Sequence, residues 1–304
     1  MTDSTFDPGL QTVSRWLPRS AVGPKTLGPV RLLTRLAAGL SSRRVQSVDL
    51  GSCSVRLHRP ASNGRPLPAL LWIHGGGFVI GTAAQDDGLC RHFSESLGIV
   101  VAAVEYRLAP EHPHPAPLED CYRALTWLAD QEYVDAGRVA VGGGSAGGGL
   151  AAALALLARD RGEPRIALQL LAYPMLDDRT ANRSDIDESM FRLWNTKANR
   201  FGWESYTGRP PGSTDIDGLA SPARSEDLSE LPPAWIGVGD LDLFLDEAVA
   251  YARRLQESGV QCELNVVPGA FHAFDGIRPN ADVSLSFRSA ETRALSAVLS
   301  ALPE

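Results

Sequence analysis

The chain of 304 residues is 44% hydrophobic, 21% charged and 7% aromatic, apolar enough to bury a sizeable core, which excludes a disordered chain and a disulfide-stapled miniprotein. Its 29 Lys and Arg against 36 Asp and Glu leave a net charge of -7 with no long block of one sign, so a general nucleic-acid or anionic-membrane surface is not expected. Cys53, Cys90, Cys121 and Cys262 are scattered without CxxC spacing, which argues against a zinc ribbon and a disulfide framework. The N-terminus offers neither the basic start nor the apolar run of a signal peptide, so cytoplasmic residence is the expectation.

The first roughly 45 residues mix Pro8, Pro18, Pro24 and Pro29 with short amphipathic pieces. Leu32, Leu33, Leu36 and Leu40 share one helical face there, and the segment reads as an irregular helical arm. From Val45 the pattern turns to strands: alternation over 55–58, then the continuous apolar run 69–73, which predicts a central strand buried on both faces. Short aliphatic runs follow at 99–104, 138–141, 166–171, 234–238 and 262–267. Helices are predicted between and after them at 86–97, 117–129, 146–159, 243–258 and 282–299. Such alternation implies an α/β protein, a mostly parallel sheet covered by helices. One interval, 177–218, carries Phe191, Trp194, Phe201, Trp203 and Tyr206 among polar residues without a strand-like run, and is expected to be a helical insertion acting as a lid. The most apolar stretch, 150–158, is about half of the roughly 20 residues a membrane span needs.

A strand runs into a helix through Gly143, Ser145 and Gly147, a G-x-S-x-G pattern. Glycines allow a sharp turn that lifts the Ser145 hydroxyl above the sheet at a helix N-terminus, where the partial positive charge favours an oxyanion. The same letters also read as G-x-G-x-x-G over Gly142, Gly144 and Gly147, a dinucleotide fingerprint. Its acidic partner belongs at the end of the following strand, whereas Glu163 precedes that strand, which weakens the nucleotide reading. Close helix-to-sheet packing by small residues is a third reading.

His74-Gly75-Gly76-Gly77-Phe78 follows the central apolar strand directly. An ordinary turn rarely needs three glycines, but acyl transfer uses open backbone amides to stabilise negative charge developing on a carbonyl oxygen. His74, at the head of this loop, is expected to orient it rather than to act as a base. Two late strands end in polar loops: Asp240, Asp242 and Asp246 after one, His272 after the other. Both ends lie where sites in open sheets assemble. His272, coming after Ser145 and after an acidic loop, suits a general base, with one of the three acids holding its other ring nitrogen.

These blocks, together with 106–112 and 117–120, resemble the bacterial hormone-sensitive-lipase-like esterases, family IV of the α/β-hydrolase fold, from about Pro68 onward. The resemblance implies Ser145, Asp242 and His272 as catalytic residues. It selects Asp242 because the family's acid opens an Asp-Pro-Leu-x-Asp-Glu block, onto which 242–247 fits. It likewise implies Gly76, Gly77 and Ala146 as the oxyanion hole. Two departures stand out: Gly144 where the family often has Asp, and Leu243 where it has Pro. By position, residues 1–44 and 177–218 match the family's cap on a single α/β-hydrolase domain spanning 1–304.

The expected activity is carboxylic ester hydrolysis on short- to medium-chain acyl groups, with an amidase or a non-catalytic ligand receptor on the same fold as rivals. No cofactor and no metal is expected, since His112-Pro113-His114 lacks helical ligand spacing. The expected partner is a small-molecule ester, with no nucleic acid and no stable membrane association; a homodimer is compatible with the chain. Phe78, Trp194, Phe201, Trp203 and Tyr206 are pocket candidates, although aromatic residues in helical insertions more often serve the core.

Overall fold

In the computed structural model, which describes residues 5–20, 22–40, 45–61 and 64–300, the aliphatic runs become neighbours in one sheet. The strands are β1 (Gln46–Asp49), β2 (Ser54–His58), β3 (Leu67–Ile73), β4 (Val100–Glu105), β5 (Val134–Gly144), β6 (Gln169–Ala172), β7 (Ala234–Leu241) and β8 (Cys262–Phe271). Their spatial order is β1-β2-β4-β3-β5-β6-β7-β8. β1 and β2 pair antiparallel at one edge, and every pair from β4 to β8 is parallel. β3 and β4 lie mid-sheet with nearly every residue buried, whereas polar β1 forms the wet edge.

The helices are α1 (Gln11–Ser14), α2 (Leu27–Leu40), α3 (Asp87–Leu97), α4 (Ala116–Ala129), α5 (Ala146–Arg161), α6 (Thr196–Thr207), α7 (Leu245–Glu257), α8 (Phe274–Ile277) and α9 (Asp282–Leu299). α4 packs beside α5 and α3 beside α9, against the sheet. α5 is buried all round from Ala146 to Ala158, consistent with its nearly uniform small and aliphatic composition. It ends at left-handed Gly162, with Arg159 and Arg161 on the negative end of its dipole. Among the described residues no helix is long and apolar enough to cross a membrane.

The chain moves from β3 outward to β4 and then returns to place β5 on the other side of β3, so a crevice opens beyond the carboxyl ends of β3 and β5. Register brings those ends level: Ile73 pairs with Gly143, and Gly144 with Ala172. Loops following β3, β5, β7 and β8 therefore converge on one side.

Several elements differ from their sequence pattern. β5 starts earlier than predicted and continues through its glycines, because β3 and β6 supply ladder partners that override weak strand propensity. β6 is shorter than predicted, although Ala167 and Leu168 still bond to Val139 and Val141. The segment 177–218 holds one α-helix, α6, and short 3₁₀ turns at Asp178–Asn182 and Glu188–Met190.

The leucine face of α2 is turned outward: Leu32, Leu33 and Leu36 are 59%, 66% and 59% exposed. Arg31 sets this orientation, since its guanidinium reaches the carbonyl oxygens of Val79 at 2.7 Å and Ala109 at 2.5 Å. The Leu40 side chain, and residues 1–4, 21 and 41–44 of the expected arm, lie outside the described residues.

Candidate active site

Ser145 sits between β5 and α5 with φ 58° and ψ −121°, a backbone conformation that L-residues rarely adopt. Its neighbours leave no room for side chains. A Cβ on Gly147 would stand 2.0 Å from the Ile73 carbonyl oxygen, and one on Gly143 would stand 2.5 Å from Gly147. The G-x-S-x-G spacing is thus a requirement of backbone touching backbone, which also fits the packing reading of these glycines. The Ser145 amide donates to Ala172 O at 2.9 Å, fixing the turn to β6.

His272 follows β8 and is buried, with its ring held edge-on against Tyr173 and Phe244, both at 5.1 Å. Its Nδ1 lies 2.8 Å from Asp242 Oδ2 and its Nε2 lies 2.9 Å from Ser145 Oγ. Because an ionised carboxylate only accepts, Nδ1 carries the proton and Nε2 is left to accept from the serine hydroxyl. Asp242 Oδ1 accepts from the Phe244 amide at 3.0 Å, which fixes the carboxylate plane. The two neighbouring acids, Asp240 at the end of β7 and Asp246 in the first turn of α7, are engaged elsewhere: Asp240 accepts from the Gly269 amide at 2.7 Å, and Asp246 pairs with Arg183. Leu243, the departure from proline, is simply buried.

The glycine loop after β3 faces Ser145. Gly76 and Gly77 have φ 129° and 58°, and a Cβ on Gly77 would stand 2.0 Å from the Trp194 ring. Among the described residues the amides of Gly76, Gly77 and Ala146 make no hydrogen bond. His74 is fully buried, stacks on Tyr106 at 4.3 Å and donates from Nδ1 to Gly75 O at 2.8 Å. Burial lowers its pKa to about 4, so it orients the loop as a neutral ring.

Ser145 and His272 open into a cavity of about 750 Å³, large enough to enclose a small organic ligand. Gly75, Gly76 and Gly77 line one side of it; Val22, Val30, Leu193 and Trp194 bring apolar surface from the arm and the 177–218 segment. Of the five aromatic pocket candidates, only Trp194 lines this cavity. Phe78 instead stacks on Tyr206 at 4.0 Å and contacts Trp203, so these three belong to the core beneath α6.

Trp72, Asp86, Tyr173, Asp275 and Arg288 also line the cavity, and none was singled out by motif. Asp86 follows a predicted strand by a dozen residues in a loop rich in small residues, where an acid reads as a helix cap. Tyr173 follows β6 directly, and its position at a strand end was the available signal. A Cβ at Gly144 would stand 3.3 Å from the Tyr173 ring, so glycine leaves room for this tyrosine. Among the described residues no group of three side chains is placed to hold a metal ion, and His114 faces the Tyr206 hydroxyl at 3.2 Å.

The profile of the alpha/beta hydrolase fold matches residues 70–276. Esterase LipI of Mycobacterium tuberculosis is 33% identical over 285 residues, which cover 90% of this chain and 83% of that one. Ethyl acetate hydrolase of Pseudomonas putida is 35% identical over 241 residues, covering 77% and 75% of the two chains. Among solved structures, a bacterial heroin esterase superposes with TM-score 0.88 at 36% identity, over 98% of this chain and 99% of the other. Fold and relatives together define an ester hydrolase built on the α/β-hydrolase sheet. Within that class the chain belongs to the bacterial hormone-sensitive-lipase-like esterases, family IV.

Proposed function

We propose that the chain hydrolyses carboxylic esters of short- to medium-chain acids through an acyl intermediate on Ser145. The observation that carries this reading is the continuous relay from Asp242 through His272 to Ser145, at 2.8 Å and 2.9 Å. Ser145 Oγ attacks the ester carbonyl carbon while its proton passes to His272 Nε2. Asp242 keeps the ring in the required tautomer and stabilises the imidazolium. Negative charge on the carbonyl oxygen is met by the amides of Gly76, Gly77 and Ala146, the last at the positive end of α5. Collapse breaks the bond to the alkoxide, which takes the proton from Nε2 and leaves as the alcohol. Water then attacks the acyl carbon with Nε2 as base, releasing the acid and restoring Ser145.

Residues of the arm and the 177–218 segment serve as a cap on one α/β-hydrolase domain. Leu193 donates from its amide to Pro18 O at 2.8 Å, and Arg192 reaches Ser14 O at 2.5 Å, which ties the two pieces together. Apolar side chains from both bound the cavity, which supports a limit on acyl length.

The test is initial rates on p-nitrophenyl acetate, butyrate, octanoate and palmitate for the wild type and for folded Ser145→Ala and His272→Ala variants. Turnover that peaks on the shorter esters and disappears in both variants is expected. Rates unchanged by Ser145→Ala overturn the mechanism, and a wild type that cleaves amides but no ester assigns the relay to the amidase rival.

A further inference from the structure

His272 has to keep its ring between Asp242 and Ser145 through successive proton transfers, yet it stands at the head of a turn with few ties to the body. Ala273, which follows it, is left-handed at φ 56°, and the helix beyond, α8, has four residues. Among the described residues the backbone bonds of 273–278 are local, from Ile277 to Ala273 O and from Arg278 to Phe274 O. Apart from the two bonds of the imidazole itself, one side-chain hydrogen bond reaches residues 272–278 from another element among the described residues: the Tyr173 hydroxyl donates to Asp275 Oδ1 at 2.9 Å. Phe244, one of the two rings against His272, follows Asp242 by two residues and belongs to the acid's own segment.

Tyr173 meets this turn from a strained position. It follows β6 with φ 37°, an outlier for a bulky residue, and its amide donates to Gly237 O of β7. Its ring stands edge-on to the His272 ring at 5.1 Å and stacks on Phe287 of α9 at 6.2 Å; Phe274 of the turn packs against the same Phe287 at 5.2 Å. One side chain thus touches the imidazole with its ring and, three residues further along, holds the imidazole's turn with its hydroxyl. Asp275 is 7% exposed, so the bond also gives a buried carboxyl its partner. Room for the ring comes from Gly144, the departure from Asp beside the serine, where a Cβ would stand 3.3 Å from Tyr173.

We infer that Tyr173 is a positioning residue for His272: bonded to Asp275, it holds the turn that carries the imidazole so that Nε2 stays within reach of Ser145. This rests on the ester-hydrolase reading of Ser145, His272 and Asp242. Tyr173 acts through His272, and its hydroxyl, committed to Asp275, takes no part in proton transfer.

The experiment measures kcat and KM on p-nitrophenyl butyrate in the wild type, Tyr173→Phe, Asp275→Ala, the double variant and Asp275→Asn, with Ser145→Ala as the control for the hydrolase reading. Rates are taken per active site, counted from the p-nitrophenol released on complete inactivation by diethyl p-nitrophenyl phosphate. A merely structural role would lower the number of active sites and leave kcat per site unchanged. Tyr173→Phe keeps the ring and loses only the bond. It and Asp275→Ala are each expected to lower kcat by about tenfold with KM within about twofold of the wild type, the effect of one hydrogen bond lost from the reacting geometry. The double variant is expected to lose no more than the worse single variant, since both cut the same bond. Asp275→Asn still offers Oδ1 to the hydroxyl and is expected to keep kcat within about threefold. A KM that rises while kcat holds gives Tyr173 to the substrate and overturns the inference. So do losses that multiply in the double variant, or an Asp275→Asn as impaired as Asp275→Ala. If Asp275→Ala yields no active sites, kcat of Tyr173→Phe against the wild type decides alone. Wild-type turnover that Ser145→Ala abolishes leaves the hydrolase reading standing in each of these cases, whereas a wild type inert on the ester overturns both.

Discussion

Ser145 and Val22 look into the same cavity from surroundings of very different rigidity. Around Ser145 the backbone of β5, β3 and α5 meets so closely that Gly143 and Gly147 admit no Cβ, and the strained φ of the serine is held by its amide bond to β6. The wall carrying Val22, Val30, Leu193 and Trp194 is instead joined through side chains and loops: Leu193 to Pro18, Arg192 to Ser14, Arg31 to the loop carbonyls, and Trp194 Nε1 to Asn199. In the first region a change of one methyl group meets backbone; in the second it meets side chains and space. Position of the groups around Ser145 is therefore set by the main chain, and the shape of the apolar wall by side chains.

Ser145→Ala separates the two regions most sharply. Removing the proposed nucleophile is expected to lower kcat by about 10⁶-fold with folding intact, whereas no single change in the apolar wall should approach that loss. Steady-state rates on p-nitrophenyl butyrate, with circular dichroism to confirm folding, check it. Gly77→Ala joins both regions, since its Cβ would enter the Trp194 ring from a left-handed backbone position. The glycine loop must shift to relieve this, and displacing a proposed oxyanion donor is expected to cost about 10²- to 10³-fold in kcat. A loss confined to KM would instead mean that Trp194 yields and the loop stays.

Asp86→Asn probes the floor of the cavity through stability. Asp86 keeps its proton up to about pH 7 when folded but releases it near 3.8 when unfolded, so the unfolded chain binds fewer protons between those values and stability falls as pH rises. Asparagine removes that loss. The variant's Tm is expected to match the wild type near about pH 4 and to exceed it increasingly up to about pH 7, with a full difference of about 2 to 3 kcal/mol after allowance for water in the cavity. His74 acts in the opposite sense in both proteins: lowered to about 4, it makes stability fall as pH drops below 6.5. It cancels from the comparison. A Tm difference that is flat with pH would show that Asp86 titrates alike in both states.

What sequence pattern could show follows the same division. The run 69–73 and the glycines of 75–77 and 142–149 are legible because a twice-buried strand must be apolar and a backbone contact must be glycine. Choosing among Asp240, Asp242 and Asp246 is not possible from periodicity, because all three fall where the end of β7 passes into the start of α7. Only three-dimensional partners, the Gly269 amide and Arg183, take the other two away from His272. Side-chain roles around the cavity were the least legible. Phe78 and Tyr206 have pocket chemistry but stack on each other, and the α2 leucines have a core-like period but face outward because Arg31 binds the body from the other side. Asp86 and Asp275 carry no motif, and only the fold brings them to the cavity of Ser145, bonded to Trp72 and Tyr173.

Arg31 gives the smallest and most discriminating test of how loosely the apolar wall is attached. Its guanidinium donates to Val79 O, to Ala109 O and to both carboxylate oxygens of Glu111, at 2.7 Å and 2.9 Å for the latter. Glu111 is 57% exposed, so its ion pair contributes under about 1 kcal/mol, and the carbonyl bonds hold α2 in place. Glu111→Gln should then change KM for p-nitrophenyl butyrate by less than about twofold, an effect within the range of a surface pair. Arg31→Ala releases α2, and with it Val30 in the cavity wall; KM is expected to rise by about three- to tenfold while kcat holds, since the relay from Asp242 to Ser145 has no contact with Arg31. Equal losses in kcat and kcat/KM would mean that the glycine loop, which is joined to Arg31 through Val79, moves with the helix, and the two regions would then be one mechanical unit.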